Sequence, residues 1–244
     1  MNIAIIFAGG SGIRMNAGAL PKQFLDYKGK PILIYTLELF DKHPDVGGIV
    51  VACLKDWIPF LEEKVLQFGI RKVMGIVPGG KTGQESIYLA LEEADRLRQN
   101  TIDKDDDIVL IHDGVRPLIR EINITDNLEY VRCKGNCITC VPATESAIIH
   151  AKDGTIEMPS RPDMLMVRAP QSFYLKDILS VHRRAVSEGR NDFIDSCTMM
   201  HHYGWKVNPY IGPTENIKIT TPSDYYVFKA YVEAREVGNI LGAL

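Results

Sequence analysis

A run of apolar residues, Ile3-Ala4-Ile5-Ile6-Phe7, stops at Ala8-Gly9-Gly10-Ser11-Gly12, and Arg14 and Pro21-Lys22-Gln23-Phe24 follow closely. Glycines let backbone N–H groups approach a phosphate, and an arginine and a lysine can balance its charge. The chemistry this spacing suits is the binding of a polyphosphate. A second polar group, His112-Asp113-Gly114-Val115-Arg116-Pro117, closes another apolar run. Ligands of open parallel sheets sit at the carboxyl ends of the strands. Asp113 there would hold Mg²⁺ or a ribose, and Arg116 would orient the loop or meet a phosphate. A local Asp–Arg pair that caps a turn is the plainer alternative. The last dense polar segment, Glu215-Asn216-Ile217-Lys218-Ile219-Thr220-Thr221, sets Lys218 between two isoleucines in a strand pattern. Isoleucines pointing one way aim the lysine at the other face, although an isolated lysine is more often simply solvated.

Other clusters carry less. Gly10-x-Gly12 begins a dinucleotide fingerprint, but Met15 stands where its third glycine belongs, and no acidic residue is placed for a ribose. Gly75-Ile76-Val77-Pro78-Gly79-Gly80-Lys81-Thr82 matches a P-loop literally. Its Ile-Val-Pro core is stiff and apolar where a phosphate nest should be compliant. The other reading is that Gly79-Gly80 turns the chain toward a base, with Ser86 in contact from the next helix. Cys133, Cys137 and Cys140 lack the paired spacing and the fourth ligand of a zinc site, and read as a helix end plus a buried strand. His201-His202 reads as a solvated helix end. No serine or cysteine sits in the context of an activated nucleophile, so no covalent intermediate is expected.

The elements that must position these groups alternate along the chain. Strands are expected at Ile3–Phe7, Gly48–Leu54, Arg71–Val77, Asp107–His112 and Cys137–Pro142. Helices are expected at Pro31–Lys42, Trp57–Phe68, Gln84–Asn100, Ile122–Cys133, Leu175–Glu188 and Pro222–Val237, the last capped near Thr221. Alternation of this kind argues for an α/β fold, a mostly parallel sheet with helices on both faces. Between Glu145 and Ala169 the rhythm changes to a hairpin, Ser146–Ala151 and Thr155–Met158 around Lys152-Asp153-Gly154. We expect one domain over 1–244, with a projecting arm at about 143–169 that serves either dimerisation or surface decoration.

Composition sets the outer limits. The 244 residues are 45% hydrophobic and 24% charged, ordinary values for a globular enzyme. A net charge of −3 gives no basic surplus for nucleic acid. The apolar runs are too short to span a bilayer, and the N-terminus lacks the basic region of a signal peptide. Five unevenly spaced cysteines do not make a disulfide framework, so a cytoplasmic, reducing location is expected.

Five ordered motifs resemble those of the cytidylyltransferases that make CDP-activated alcohols, whose members act on 2-C-methyl-D-erythritol 4-phosphate or ribitol 5-phosphate. They are Ala8–Met15, Pro21–Phe24, His112–Pro117, Ala169-Pro170-Gln171-Ser172-Phe173 and Asn216–Thr220, and the resemblance they anchor extends over nearly the whole chain. The resemblance implies a Rossmann-like domain, a homodimer through the arm, and Mg²⁺-CTP and a polyol phosphate as substrates. It implies that Arg14 and Lys22 neutralise the triphosphate, and that Asp113 and Lys218 sit at the reacting phosphates. Ala8, Gly9, Gly10, Ser11, Gly12 and Arg116 would line the nucleotide, with Gly80 and Ser86 near its cytosine or ribose. Ser146 and Arg161 would reach the acceptor from the neighbouring subunit, and Asp113 would be the metal ligand. The chain departs from the family at Gly83, where an arginine is usual. Ser146 in place of threonine and the Asp195-Ser196-Cys197 stretch favour the ribitol branch, with methylerythritol phosphate as the alternative acceptor. A P-loop kinase and a non-catalytic nucleotide-binding protein remain as readings from other classes.

Overall fold

A computed structural model gives the arrangement of residues 1–9 and 20–241. In chain order the elements are β1 (Asn2–Ala8), β2 (Asp26–Tyr27), β3 (Lys30–Pro31), α1 (Ile32–Lys42), β4 (Gly48–Cys53), α2 (Ile58–Gln67), β5 (Val73–Pro78) and α3 (Gly83–Arg98). They continue with β6 (Ile108–Asp113), α4 (Glu121–Lys134), β7 (Asn136–Pro142), β8 (Ile149–His150), β9 (Ile156–Glu157) and β10 (Leu165–Tyr174). The chain closes with α5 (Leu175–Ser187), α6 (Ser196–His202), β11 (Pro209–Ile211) and α7 (Pro222–Leu241). The main sheet runs β11-β7-β10-β6-β1-β4-β5. β10 alone opposes its neighbours β6 and β7; the remaining pairings in this sheet are parallel.

Period-2 alternation sorts the strand side chains onto two cores. Ala4 and Ile6 of β1 and Ile49 and Val51 of β4 face Leu33, Leu37 and Phe40 of α1, Leu61 of α2 and Leu128 of α4. Ile3, Ile5, Val50 and Ala52 face Ile87, Ala90 and Leu91 of α3, Ile178 of α5 and Met199 of α6. Central strands buried on both sides need continuous apolar runs, and β4 and β6 are buried along their whole length. A smaller cluster, Tyr27, Ile32, Val115, Leu118, Ile219 and Phe228, binds α7 to the loop after β6.

Three expectations change. Residues 165–174 form a ten-residue strand in the sheet, where the sequence reading placed only the end of the arm. Polar and proline-containing, Arg168–Ser172 lacks an alternating signal; Gln171 and Ser172 pair with β6 and β7, and the register shifts between Val167 and Gln171. Residues 215–220 carry no strand, although Ile219 is buried, Ile217 packs beside it and Lys218 points the other way. The isoleucine pattern reported burial correctly but not sheet pairing; among the described residues the segment's long-range backbone–backbone bond is a single one, from Ile219 N–H to the Val115 carbonyl at 2.9 Å. The helix at Ser196–His202 was anticipated only at its histidine end. The expected hairpin is present as β8–β9, with Gly154 at φ +86° in its turn.

Candidate active site

The carboxyl ends of β1, β5 and β6 open into a cleft with two lobes. The first, of about 420 Å³, is lined by Ala8, Gly9, Lys22, Gln23, Gly80, Lys81, Thr82, Ser86 and Val115. The second, of about 240 Å³, is lined by residues of β10, α3, α5 and α6, among them Gln84, Arg116, Arg168, Gln171, His182 and Ser196. Phe7, Gly83, Asp113 and Lys218 belong to both.

Close backbone approach builds the first lobe. A Cβ on Gly9 would come within 3.0 Å of Ser86 Oγ, and one on Gly79 within 3.4 Å of the Cys53 carbonyl. Ser86 Oγ donates to the Thr82 carbonyl at 2.9 Å and accepts from Gly80 N–H at 3.0 Å. Thr82 caps α3 by accepting from Glu85 N–H, and Glu85 accepts from Lys81 N–H. On the other side Gln23, fully buried, donates to the Ala8 carbonyl at 2.6 Å. Phe24 stacks on Trp57 at 5.0 Å and meets Phe60 edge-on. These anchors on either side hold Lys22 at the lip of the lobe.

At the junction Asp113 accepts from Arg116 Nε at 2.7 Å on one oxygen and pairs with Lys218 Nζ at 2.5 Å on the other. Burial by itself would raise the Asp113 pKa. The Arg116 and Lys218 cations outweigh it and hold the carboxyl well below the usual carboxylate range. Arg116 Nη1 also donates to the Asn216 carbonyl at 3.0 Å, and Arg168 Nη1 to the same oxygen at 2.9 Å. Burial, with Arg116 beside it, lowers the Arg168 pKa. Lys218 Nζ lies 5.8 Å from the centre of the Phe7 ring. Asn216 donates to the Ala169 carbonyl at 2.7 Å, which fastens the lysine segment to β10.

Lys22, Asp113, Lys218, Ala8, Gly9, Gly80 and Ser86 therefore share one cleft. Arg116 turns inward to Asp113 and Asn216, as the turn-capping alternative anticipated. Arg14, Gly10, Ser11 and Gly12 lie outside the described residues. Ser146 and Arg161 are exposed on the arm segment and line neither lobe of this chain. Gly75 lies inside β5, so the first glycine of the literal P-loop match opens no loop. Gln23, Arg168 and Asn216 were missed as site residues, although each sits in or beside a quoted motif. His182 gave no signal, being an ordinary position in a helical pattern.

Mg²⁺ keeps much of its water and takes one or two carboxylates beside substrate phosphates. Asp113 is the one acid among the described residues that line the first lobe. The described residues hold no group of three His, Cys, Asp or Glu placed for a metal. Asp113 Oδ1, released by Lys218, fits an ion that arrives on a triphosphate. The set is too small for a resident metal.

A nearly parallel sheet with a lysine and an arginine paired to a buried carboxylate at its carboxyl edge is a framework that suits an α/β nucleotidyltransferase. The profile described as IspD, 2-C-methyl-D-erythritol 4-phosphate cytidylyltransferase, matches residues 2–234, and the chain belongs to that family of enzymes. It is 46% identical over 243 residues to a ribitol-5-phosphate cytidylyltransferase of Streptococcus agalactiae serotype V, covering 99% of each chain. It is 36% identical to a 2-C-methyl-D-erythritol 4-phosphate cytidylyltransferase of Clostridium botulinum, covering 95% of this chain and 97% of that one. In fold it is similar to the 4-diphosphocytidyl-2C-methyl-D-erythritol synthase of Anaerococcus prevotii, with a TM-score of 0.77 at 24% identity over 95% of this chain and 96% of that one. Among the described residues no helix is long and apolar enough to cross a membrane.

Proposed function

We propose that this chain transfers CMP from CTP to ribitol 5-phosphate and releases pyrophosphate. The observation that carries the reading is the two-lobed cleft whose lobes meet at Asp113 and Lys218. A nucleotide in the first lobe and an acceptor in the second would bring their phosphates together there. Identities of 46% and 43% to ribitol-5-phosphate enzymes, against 36% to methylerythritol-phosphate enzymes, favour the ribitol acceptor.

The acceptor's phosphate oxygen is already anionic at neutral pH and attacks the α-phosphorus. A new P–O bond forms, the bond to the β-phosphate breaks, and its electron pair leaves with pyrophosphate. No proton has to move, so the task is to align two anions and cancel their repulsion. Lys22 reaches the triphosphate from the lip. Lys218 exchanges Asp113 for the phosphates and follows the charge as it shifts to the leaving group. Arg116 keeps Asp113 ionised and in place. Bound Mg²⁺, with Asp113 as its protein ligand, would neutralise part of the phosphate charge.

We place a second copy of the chain against the arm. Ile148, Ile149, Ile156, Met158, Leu165, Met166 and Val167 are exposed apolar side chains along 148–167, more than a monomer leaves on one projection. The partner's arm would bring its own Ser146 and Arg161 to the acceptor. The test of the reaction is pyrophosphate release with Mg²⁺-CTP and either ribitol 5-phosphate or 2-C-methyl-D-erythritol 4-phosphate. Release with the first is expected. Release with methylerythritol phosphate alone reassigns the acceptor, and no release with a wider panel of nucleotides and polyol phosphates leaves a binding protein.

A further inference from the structure

The second lobe has a wall that the transfer of a phosphate does not explain. Most of its polar groups already hold protein partners. Gln84 donates to the Arg190 carbonyl and accepts from Phe193 N–H. Gln171 accepts from Cys197 N–H, and Asp195 caps α6 by accepting from Thr198 N–H. Two groups differ. His182 is 1% exposed and Ser196 3% exposed, and both line the lobe. Neither ring nitrogen of His182, nor Ser196 Oγ, has a hydrogen-bond partner among the described residues.

Their surroundings make this costly. Ile87, Phe193 and Met199 form the apolar part of the same wall, and His182 stacks on Tyr88 at 6.0 Å. A buried polar group without a partner loses the hydrogen bonds that water gave it in the unfolded chain. Leucine and alanine would serve packing better at these positions. Burial pushes the His182 pKa down to about 4, so the ring is neutral near pH 7. A neutral imidazole offers one donor and one acceptor, and a serine hydroxyl offers both. That is the complement of alcohol groups, which also donate and accept. It is a poor complement for phosphate, which the cations Arg116, Arg168 and Lys218 in the lining of the same lobe suit better.

We propose that His182 and Ser196 are specificity-determining residues that hydrogen-bond the hydroxyl chain of the acceptor alditol phosphate, whose phosphate lies at the Asp113–Lys218 junction. This rests on the function proposed above. It places the reading of the alcohol within the chain that binds the nucleotide, apart from the contribution of the partner's arm. Ribitol 5-phosphate carries a longer run of hydroxyls than methylerythritol phosphate, and the wall at His182 is where the additional ones would be read.

The test is steady-state pyrophosphate release by the full chain and by His182→Leu, His182→Gln and Ser196→Ala. Loss of one neutral hydrogen bond should raise the KM for ribitol 5-phosphate about tenfold in His182→Leu. The KM for CTP should stay within about twofold, because the nucleotide lobe is untouched. His182→Gln, which keeps a donor and an acceptor, should recover part of the loss. A melting temperature equal to or above that of the parent is expected for His182→Leu. If that variant does not fold, Ser196→Ala and His182→Gln against the parent carry the same comparison. An unchanged acceptor KM in the folded variants, or an equal rise in both KM values, overturns the assignment of His182 and Ser196. Absence of turnover by the parent chain with every alditol phosphate overturns the function itself, a separate and distinguishable result.

Discussion

Lys22 shows how much of a side chain's position is set by its neighbours. Its place at the lip follows from Gln23, which holds the Ala8 carbonyl, and from Phe24, which is wedged against Trp57 and Phe60. Lys22→Ala removes a charge that the reading places on the transition state, and should lower kcat by on the order of 10²-fold with the melting temperature kept. An unchanged kcat would take Lys22 out of the chemistry. The motif Pro21-Lys22-Gln23-Phe24 was legible as a site in the sequence, but only through the lysine. That the glutamine and phenylalanine serve it depends on β1 and α2 lying on either side, which no local pattern states. Asp113, Arg116 and Lys218 were each legible as candidates. Their joining into one ion-pair group was not, because Lys218 enters from a segment about a hundred residues away in sequence.

At the scale of elements the arm carries the largest unspent apolar surface. Residues 148–167 form a hairpin and its return, with little else of the chain to cover them. Ile156→Asp, at the first residue of β9, should convert a dimer to a monomer by sedimentation or light scattering, since burying an unpaired charge in an apolar interface is strongly unfavourable. The KM for the acceptor should rise in the monomer if the partner's Arg161 reaches the site, while the KM for CTP holds. A monomeric parent chain would sink the dimer. The hairpin itself was readable from Asp153-Gly154, a turn signal with a local cause. β10 was not readable, because Ala169-Pro170-Gln171 offers no alternation, and the strand is set by pairing of the residues on either side of a register shift between Val167 and Gln171 with β6 and β7. Such non-local pairing is where propensity arguments lose their grip.

For the molecule as a whole, three buried histidines, His43, His112 and His182, make acid stability a defined property, since burial lowers the pKa of each. Burial pushes both His112 and His182 down to about 4, whereas in the unfolded chain each titrates near the ordinary histidine value of about 6.5. Between these values the unfolded chain binds protons that the folded chain refuses, so stability falls as the pH drops. The loss begins near pH 6.5 and is complete near pH 4, on the order of 3 kcal/mol for each of His112 and His182. Denaturant unfolding at a series of pH values should show it, and His182→Leu should flatten the curve by its own share. A flat profile from pH 7 to 4.5 would contradict the burial of both rings. Asp113 adds in the same direction at lower pH. Its carboxyl is held ionised by Arg116 and Lys218 in the fold, so its contribution is lost as the pH falls through its folded-state value.

The sequence by itself determined the alternation of strands and helices, the glycine turns, the placing of cations soon after the first of them and the hairpin, because each is written in the spacing of neighbouring residues. It also determined family membership, since several motifs in fixed order carry more information than any one of them. Only the tertiary structure decided which charges pair, that β10 reverses in a parallel sheet, and that His182 and Ser196 line a cavity with no hydrogen-bond partner among the described residues. Those outcomes depend on contacts between segments far apart in the chain. A histidine at one helical position looks the same in sequence whether its ring meets solvent, a carbonyl or a substrate's hydroxyl group.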